Sequence, residues 1–172
     1  CSSDLVFALV KSSSVLLAID PALRLSARNQ LWGEVAVVLD RAELLPAIYF
    51  IFSRNGCDQA VEQCINAGLE LTTDDEMRRI RRIVDEMVEG QLSQEDLKAL
   101  HFSQFRFALE EGFAPHHAGM VALFRQIVER LFEEGLVKVV FATETLALGI
   151  NMPARCVVVE KLEKFDGPGM SD

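Results

Sequence analysis

No part of this chain approaches the ~20 consecutive apolar residues that a membrane-crossing helix requires. The short apolar run from Leu5 to Val10 is too brief and too poorly flanked for the core of a signal peptide. A soluble, cytoplasmic protein with no membrane partner is the expectation. Cysteine is scarce: Cys1, Cys57, Cys64 and Cys156 could close two disulfides, but 172 residues, half of them apolar, bury enough surface without staples. Reduced thiols are expected, with Cys57 and Cys64 on one helical face as small buried hydrophobes. Together with His116 and His117 they lack the close paired spacing of a structural zinc site. Cations are also in deficit, 17 Lys and Arg against 26 Asp and Glu, a formal charge of −9 that argues against a freestanding nucleic-acid binder. No GxxxxGK[ST] string is present to cradle a nucleoside triphosphate. Neither His116 nor His117 has a Ser or Cys spaced to form a nucleophilic dyad, which leaves a small hydrolase with little support.

What the chain does have is alternation. Leu31, Val35, Val38 and Leu39 recur at helical spacing from about Asn29 to Leu44, and Pro46 stops that helix. Ala47 to Phe52 is a continuous β-favouring run, the pattern of a strand buried on both faces. After Ser53-Arg54-Asn55-Gly56, Ala60, Val61, Cys64 and Ile65 share one face of a second helix, with Gly68 beyond its end. Thr73 and Glu76 form a capping-box pattern opening a helix over 74–88, Ser93 caps a short one over 94–100, and another lies around 104–110. Phe113-Ala114-Pro115 is weakly extended, and the apolar stripe from Val121 to Phe132 predicts a helix over 120–132. Val137 to Phe141 and Cys156 to Val159 are further strands. Short apolar strands alternating with helices predict an α/β domain with a parallel sheet, carrying an acidic helical insert over about 73–111. Residues 1–30 have no legible role, and the absence of an initiating methionine suggests a processed or excised piece.

The most informative string is Val137 to Val159, VKVVFATETLALGINMPARCVVV. A chain leaving a buried strand for a helix points unpaired N–H groups outward at the strand's carboxyl end, where anions settle. Hydroxyls at Thr143 and Thr145 add donors beside those amides, although the same residues also suit an ordinary N-cap. Gly149 permits close backbone approach and Pro153 fixes φ. This string resembles motif V of superfamily 2 helicases, and ATETLALGINMPA is similar to the DExH-box branch of superkiller-type RNA helicases. PAIYFIFSRNGC, from Pro46 to Cys57, resembles motif IV, and GFAPHHAGM, from Gly112 to Met120, resembles motif IVa, in the expected order.

The resemblance implies that residues 31–172 are an incomplete second RecA-like domain, a parallel sheet flanked by helices that carries motifs IV to V only. Asp-Glu-x-His and the later arginine motif are missing. It implies a parent ATP-dependent helicase in which ATP and Mg2+ lie between this domain and a first RecA-like domain. The expected ligand is single-stranded nucleic acid, RNA more than DNA. Ser53, Arg54, His117, Ala118, Gly119, Thr143, Glu144 and Thr145 would grip its backbone, and Gly149 and Asn151 would face the nucleotide cleft. In a parallel sheet these loops should share one edge. Simpler roles stand beside these: Ser53 as an N-cap, Arg54 paired with Asp58, His117 as a cap or packing residue, and Asn151 as a turn residue. The alternative function is a noncatalytic interaction module that docks a protein partner through the acidic insert.

Overall fold

The structure, a computed structural model, describes residues 5–11, 14–19, 28–143 and 154–160. The elements run β1 (Leu5–Lys11), β2 (Ser14–Ile19), α1 (Arg28–Arg41), β3 (Ala47–Phe50), α2 (Arg54–Asn66), α3 (Asp74–Val88), α4 (Gln94–Ala99), α5 (Phe102–Glu111), β4 (Phe113–His116), α6 (Ala122–Glu133), β5 (Val139–Ala142) and β6 (Cys156–Glu160). One sheet holds the strands in the order β1-β2-β6-β3-β5-β4. Every pairing is parallel except β1 with β2. The fold is thus an α/β, RecA-like parallel sheet flanked by helices. The N-terminal segment, which suggested no element from its composition, forms a β1–β2 hairpin that lengthens this sheet beside β6.

A parallel sheet must hide both faces, and alternate residues do so here. Ala47, Tyr49, Phe141, Cys156 and Val158 pack under α1 and α2 on one face. Ile48, Val140, Ala142 and Ala114 pack under α3 and α6 on the other. Cys57 and Cys64 are fully buried in the first layer. Burial, the leading cause in each case, pushes both thiols up to about 12, so they sit in the core as protonated small hydrophobes. Trp32 of α1 is tied to the sheet through Glu160, whose Oε1 accepts from the indole Nε1 at 2.6 Å and from the Tyr49 hydroxyl at 3.2 Å.

The acidic insert is more deeply built into the core than its charge suggests. Helix α3 has the full capping box, Glu76 N–H to Thr73 Oγ1 at 3.2 Å and Thr73 N–H to Glu76 Oε1 at 3.0 Å. Its Ile80, Ile83, Val84 and Val88 are buried. Helix α5 contributes Ala108 to one apolar layer and Leu109 to the other, which sets it along the open side of edge strand β4. Arg81 of α3 grips buried Glu110 of α5 with a two-pronged fork, 3.0 and 3.2 Å, and Arg106 Nε stands 3.3 Å from the same carboxylate. The weakly extended Phe113-Ala114-Pro115 proves to be a strand. Gly112 and His116 turn their carbonyls toward β5 and the connection leading from it, so the missing donor of Pro115 faces away from the ladder.

Glu76 also accepts from the Lys138 ammonium at 2.5 Å, joining α3 to the segment before β5. Partial burial alone would raise this carboxyl; hydrogen bonds and charge from Lys138 and the Thr73 amide outweigh it and hold Glu76 below its ordinary range. A lowered folded-state value means stabilisation present above the unfolded value and lost as acid protonates the group. Glu76→Gln is therefore expected to be less stable than the parent chain at neutral pH, with the two unfolding curves converging as acid protonates the folded-state carboxyl. Urea titrations across pH check this, and a gap that stays constant with pH would refute it.

Candidate nucleic-acid interface

Strands β3, β5 and β4 are neighbours and run parallel, so the chain segments that follow them leave from the same edge. Ile51 N–H donates to Ala142 C=O at 2.8 Å, and Thr143 N–H to His116 C=O at 3.3 Å, stitching the three exits together. Ser53-Arg54, His116 to Gly119 and Thr143 thus meet along one rim. Glu144, Thr145, Gly149 and Asn151 lie outside the described residues.

Ser53 caps α2: its Oγ accepts from Gly56 N–H at 3.1 Å while its carbonyl accepts from Cys57 N–H. Gly56 is required by space. A Cβ there would come within 2.8 Å of Ile51 Cγ2, so only glycine lets the first turn of α2 lie this close to the end of β3. The opening turn consequently presents Arg54 at the rim.

His116 and His117 diverge. His116 is buried, with Nε2 2.8 Å from Glu129 Oε1 of α6, and serves packing. His117 is buried too, 5% exposed, between Asp58 of α2 at 2.9 Å from Nε2 and the amide of Gly119, which donates to Nδ1 at 3.1 Å. The cap-like role anticipated for His117 is therefore real, and it consumes the Gly119 amide. Ala118 and Gly119 themselves are exposed. A Cβ on Gly119 would stand 3.0 Å from His117 Nδ1 and 3.5 Å from Arg54 Cδ, which brings this loop and Arg54 into contact range. The alternative Arg54–Asp58 pair does not form among the described residues; the Asp58 carboxylate lies against His117 instead. Thr143 is buried at the end of β5.

The feature that sequence reading left in a minor role is Asp58, treated only as a possible partner for Arg54. No spacing rule links it to His117, which lies 59 residues away. Among the described residues no cluster of three or more metal-ligating side chains forms, and none of the loops is a lysine-bearing phosphate cradle. These residues alone do not fit an ATP–Mg2+ site.

A parallel α/β sheet with its polar loops gathered at the carboxyl rim is the arrangement of a RecA-like α/β domain. Comparison with known proteins narrows this. No family model matches. Over 134 residues the chain is 54% identical to the "Probable helicase HelY" of Mycobacterium leprae, covering 78% of this chain and 14% of that protein. It is 33% identical over 141 residues to the "Antiviral helicase SKI2" of Saccharomyces cerevisiae, 82% of this chain and 11% of that one. With the "DExH-box ATP-dependent RNA helicase DExH11" of Arabidopsis thaliana it shares 37% over 146 residues, 85% and 10%. The chain belongs to the superkiller-like DExH-box helicases. It spans about a seventh or less of the length of these relatives.

Gly119→Ala is expected to displace the His117 ring and destabilise the fold by about 1–2 kcal/mol, because the new methyl group would stand 3.0 Å from a ring already held at both nitrogens. Thermal unfolding measures this; an unchanged midpoint would mean that the loop yields freely.

Proposed function

We propose that this chain is the strand-gripping part of an ATP-dependent helicase acting on single-stranded nucleic acid, RNA in preference to DNA, and that it corresponds to the second RecA-like domain. The observation that carries the reading is the meeting of Arg54, the Ala118-Gly119 turn and Thr143 on one sheet edge. Backbone phosphates are held by such groups without reading bases. Arg54 supplies a planar fork for a phosphate oxygen. The unpaired amides at the start of α2, where Ser53 leaves Arg54 and Asn55 N–H outside the helix ladder, add partial positive charge. Small Ala118 and Gly119 let a sugar-phosphate chain pass close, with the Ala118 amide as donor, while Thr143, Glu144 and Thr145 continue the track.

In the same reading Gly149 and Asn151 face the cleft where ATP and Mg2+ are held against a first RecA-like domain, which this chain does not itself supply. ATP turnover there would supply the relative movement of the two domains, and the rim described above would travel along the strand with this one. The overall charge of −9 fits a division of labour in which only a few local donors touch the backbone and basic surface lies elsewhere in the parent protein.

Three measurements test the proposal. The chain alone is expected to show no nucleic-acid-stimulated ATPase; a clear rate would overturn the assignment of the nucleotide site to two domains. Arg54→Ala is expected to weaken binding of a short oligouridylate about tenfold at low salt and to lower the slope of log affinity against log salt by about one. In the parent helicase Thr143→Ala is expected to abolish RNA-coupled ATP turnover. The rival reading, docking through the acidic helices, requires the opposite: binding of a protein partner indifferent to changes at Thr143 or Gly149.

A further inference from the structure

Asp58 lies one helical turn beyond Arg54 on α2, the spacing at which an acid and a cation on a helix ordinarily pair. Such a pair would neutralise the guanidinium at the rim. Here the carboxylate faces His117 instead, 2.9 Å from Nε2, and the His117 ring is pinned at its other nitrogen by the Gly119 amide at 3.1 Å. A neutral imidazole has one donor and one acceptor nitrogen. Because Nδ1 accepts from an amide, the ring proton must reside on Nε2 and point at Asp58. A doubly protonated ring would set two donors face to face at Gly119 and lose that bond.

We infer that Asp58 is a positioning residue for the nucleic-acid edge, acting through His117 on the Ala118-Gly119 turn and leaving Arg54 free of a carboxylate partner on its own helix. The inference rests on the strand-gripping reading above. The Asp58 side chain is 57% exposed, so charge attraction to His117 is screened and contributes little. Its leverage is directional. The His117 side chain is only 7% exposed, and its ring covers Gly119 closely enough that a Cβ there would meet Nδ1 at 3.0 Å. A ring free to turn would release the Gly119 amide and crowd Arg54, whose Cδ would stand 3.5 Å from the same Cβ. One acceptor on α2 thus sets the shape of a loop that belongs to β4.

Replacing Asp58 separates charge from direction. Asp58→Asn keeps an oxygen that can accept the Nε2–H, whereas Asp58→Ala keeps nothing. If Asp58 merely repelled phosphate, both variants would bind a short oligouridylate more tightly than the parent chain. If it positions the loop, Asp58→Ala binds about fivefold more weakly despite losing a negative charge, while Asp58→Asn retains parent affinity or gains. Nitrogen-15 spectra of the imidazole add a readout independent of binding: the Nε2–H tautomer in the parent and Asn chains, a mixture of tautomers in the Ala chain. Circular dichroism checks that all three are folded. Unchanged or tighter binding by Asp58→Ala, alongside weakened binding by Arg54→Ala, overturns the positioning role and leaves the site intact. Unchanged binding by Arg54→Ala overturns the site itself, and with it this inference.

Discussion

Parallel pairing of β3, β5 and β4 is the constraint on which everything else depends. Parallel strands share one direction, so their following loops are delivered to one rim regardless of how far apart they lie in the chain. The arrangement demands burial on both faces, since neither side of such a sheet tolerates water. Helices α1 and α2 meet that demand on one side, and α3 and α6 on the other, with α5 closing the edge at β4. The acidic helical insert thereby also contributes to the scaffold. Most of its acidic residues face outward, Glu110 being buried against Arg81, while Ile80, Ile83, Val84 and Val88 complete the second layer.

The rim is organised by competition for a few hydrogen-bonding groups. Asp58 could neutralise Arg54 or orient His117, and it does the second. Gly119 could offer its amide to a ligand or to His117, and it too does the second. What remains exposed is a cation, a helix start and a turn of small residues, all suited to a chain of phosphates. Membership in the superkiller-like helicases agrees with this composition, and the acidic overall balance is compatible with it because the contacts are local.

Much of the architecture could be read from periodicity. The helices over 54–66 and 74–88 emerged with their caps, because Ser53 and Thr73 carry local signals that need no tertiary context. Boundaries moved where packing overruled pattern. The first helix stops at Arg41 rather than at Leu44, with a left-handed Glu43 in the turn, and the β3 strand closes at Phe50 instead of Phe52. The β1–β2 hairpin was illegible because Ser-rich flanks and short runs specify no partner; only β6 supplies one.

The sequence by itself determined the alternation of strands and helices, the caps, the buried thiols and, through motif-length strings, the family, since each of these is encoded within a few neighbouring residues. Only the tertiary structure decided that His117 turns to Asp58, that the Gly119 amide is already used, and that Arg54 lies against the Gly119 turn. Those contacts join residues separated by dozens of positions, and which of several chemically acceptable partners is taken depends on the distances that a packed sheet imposes.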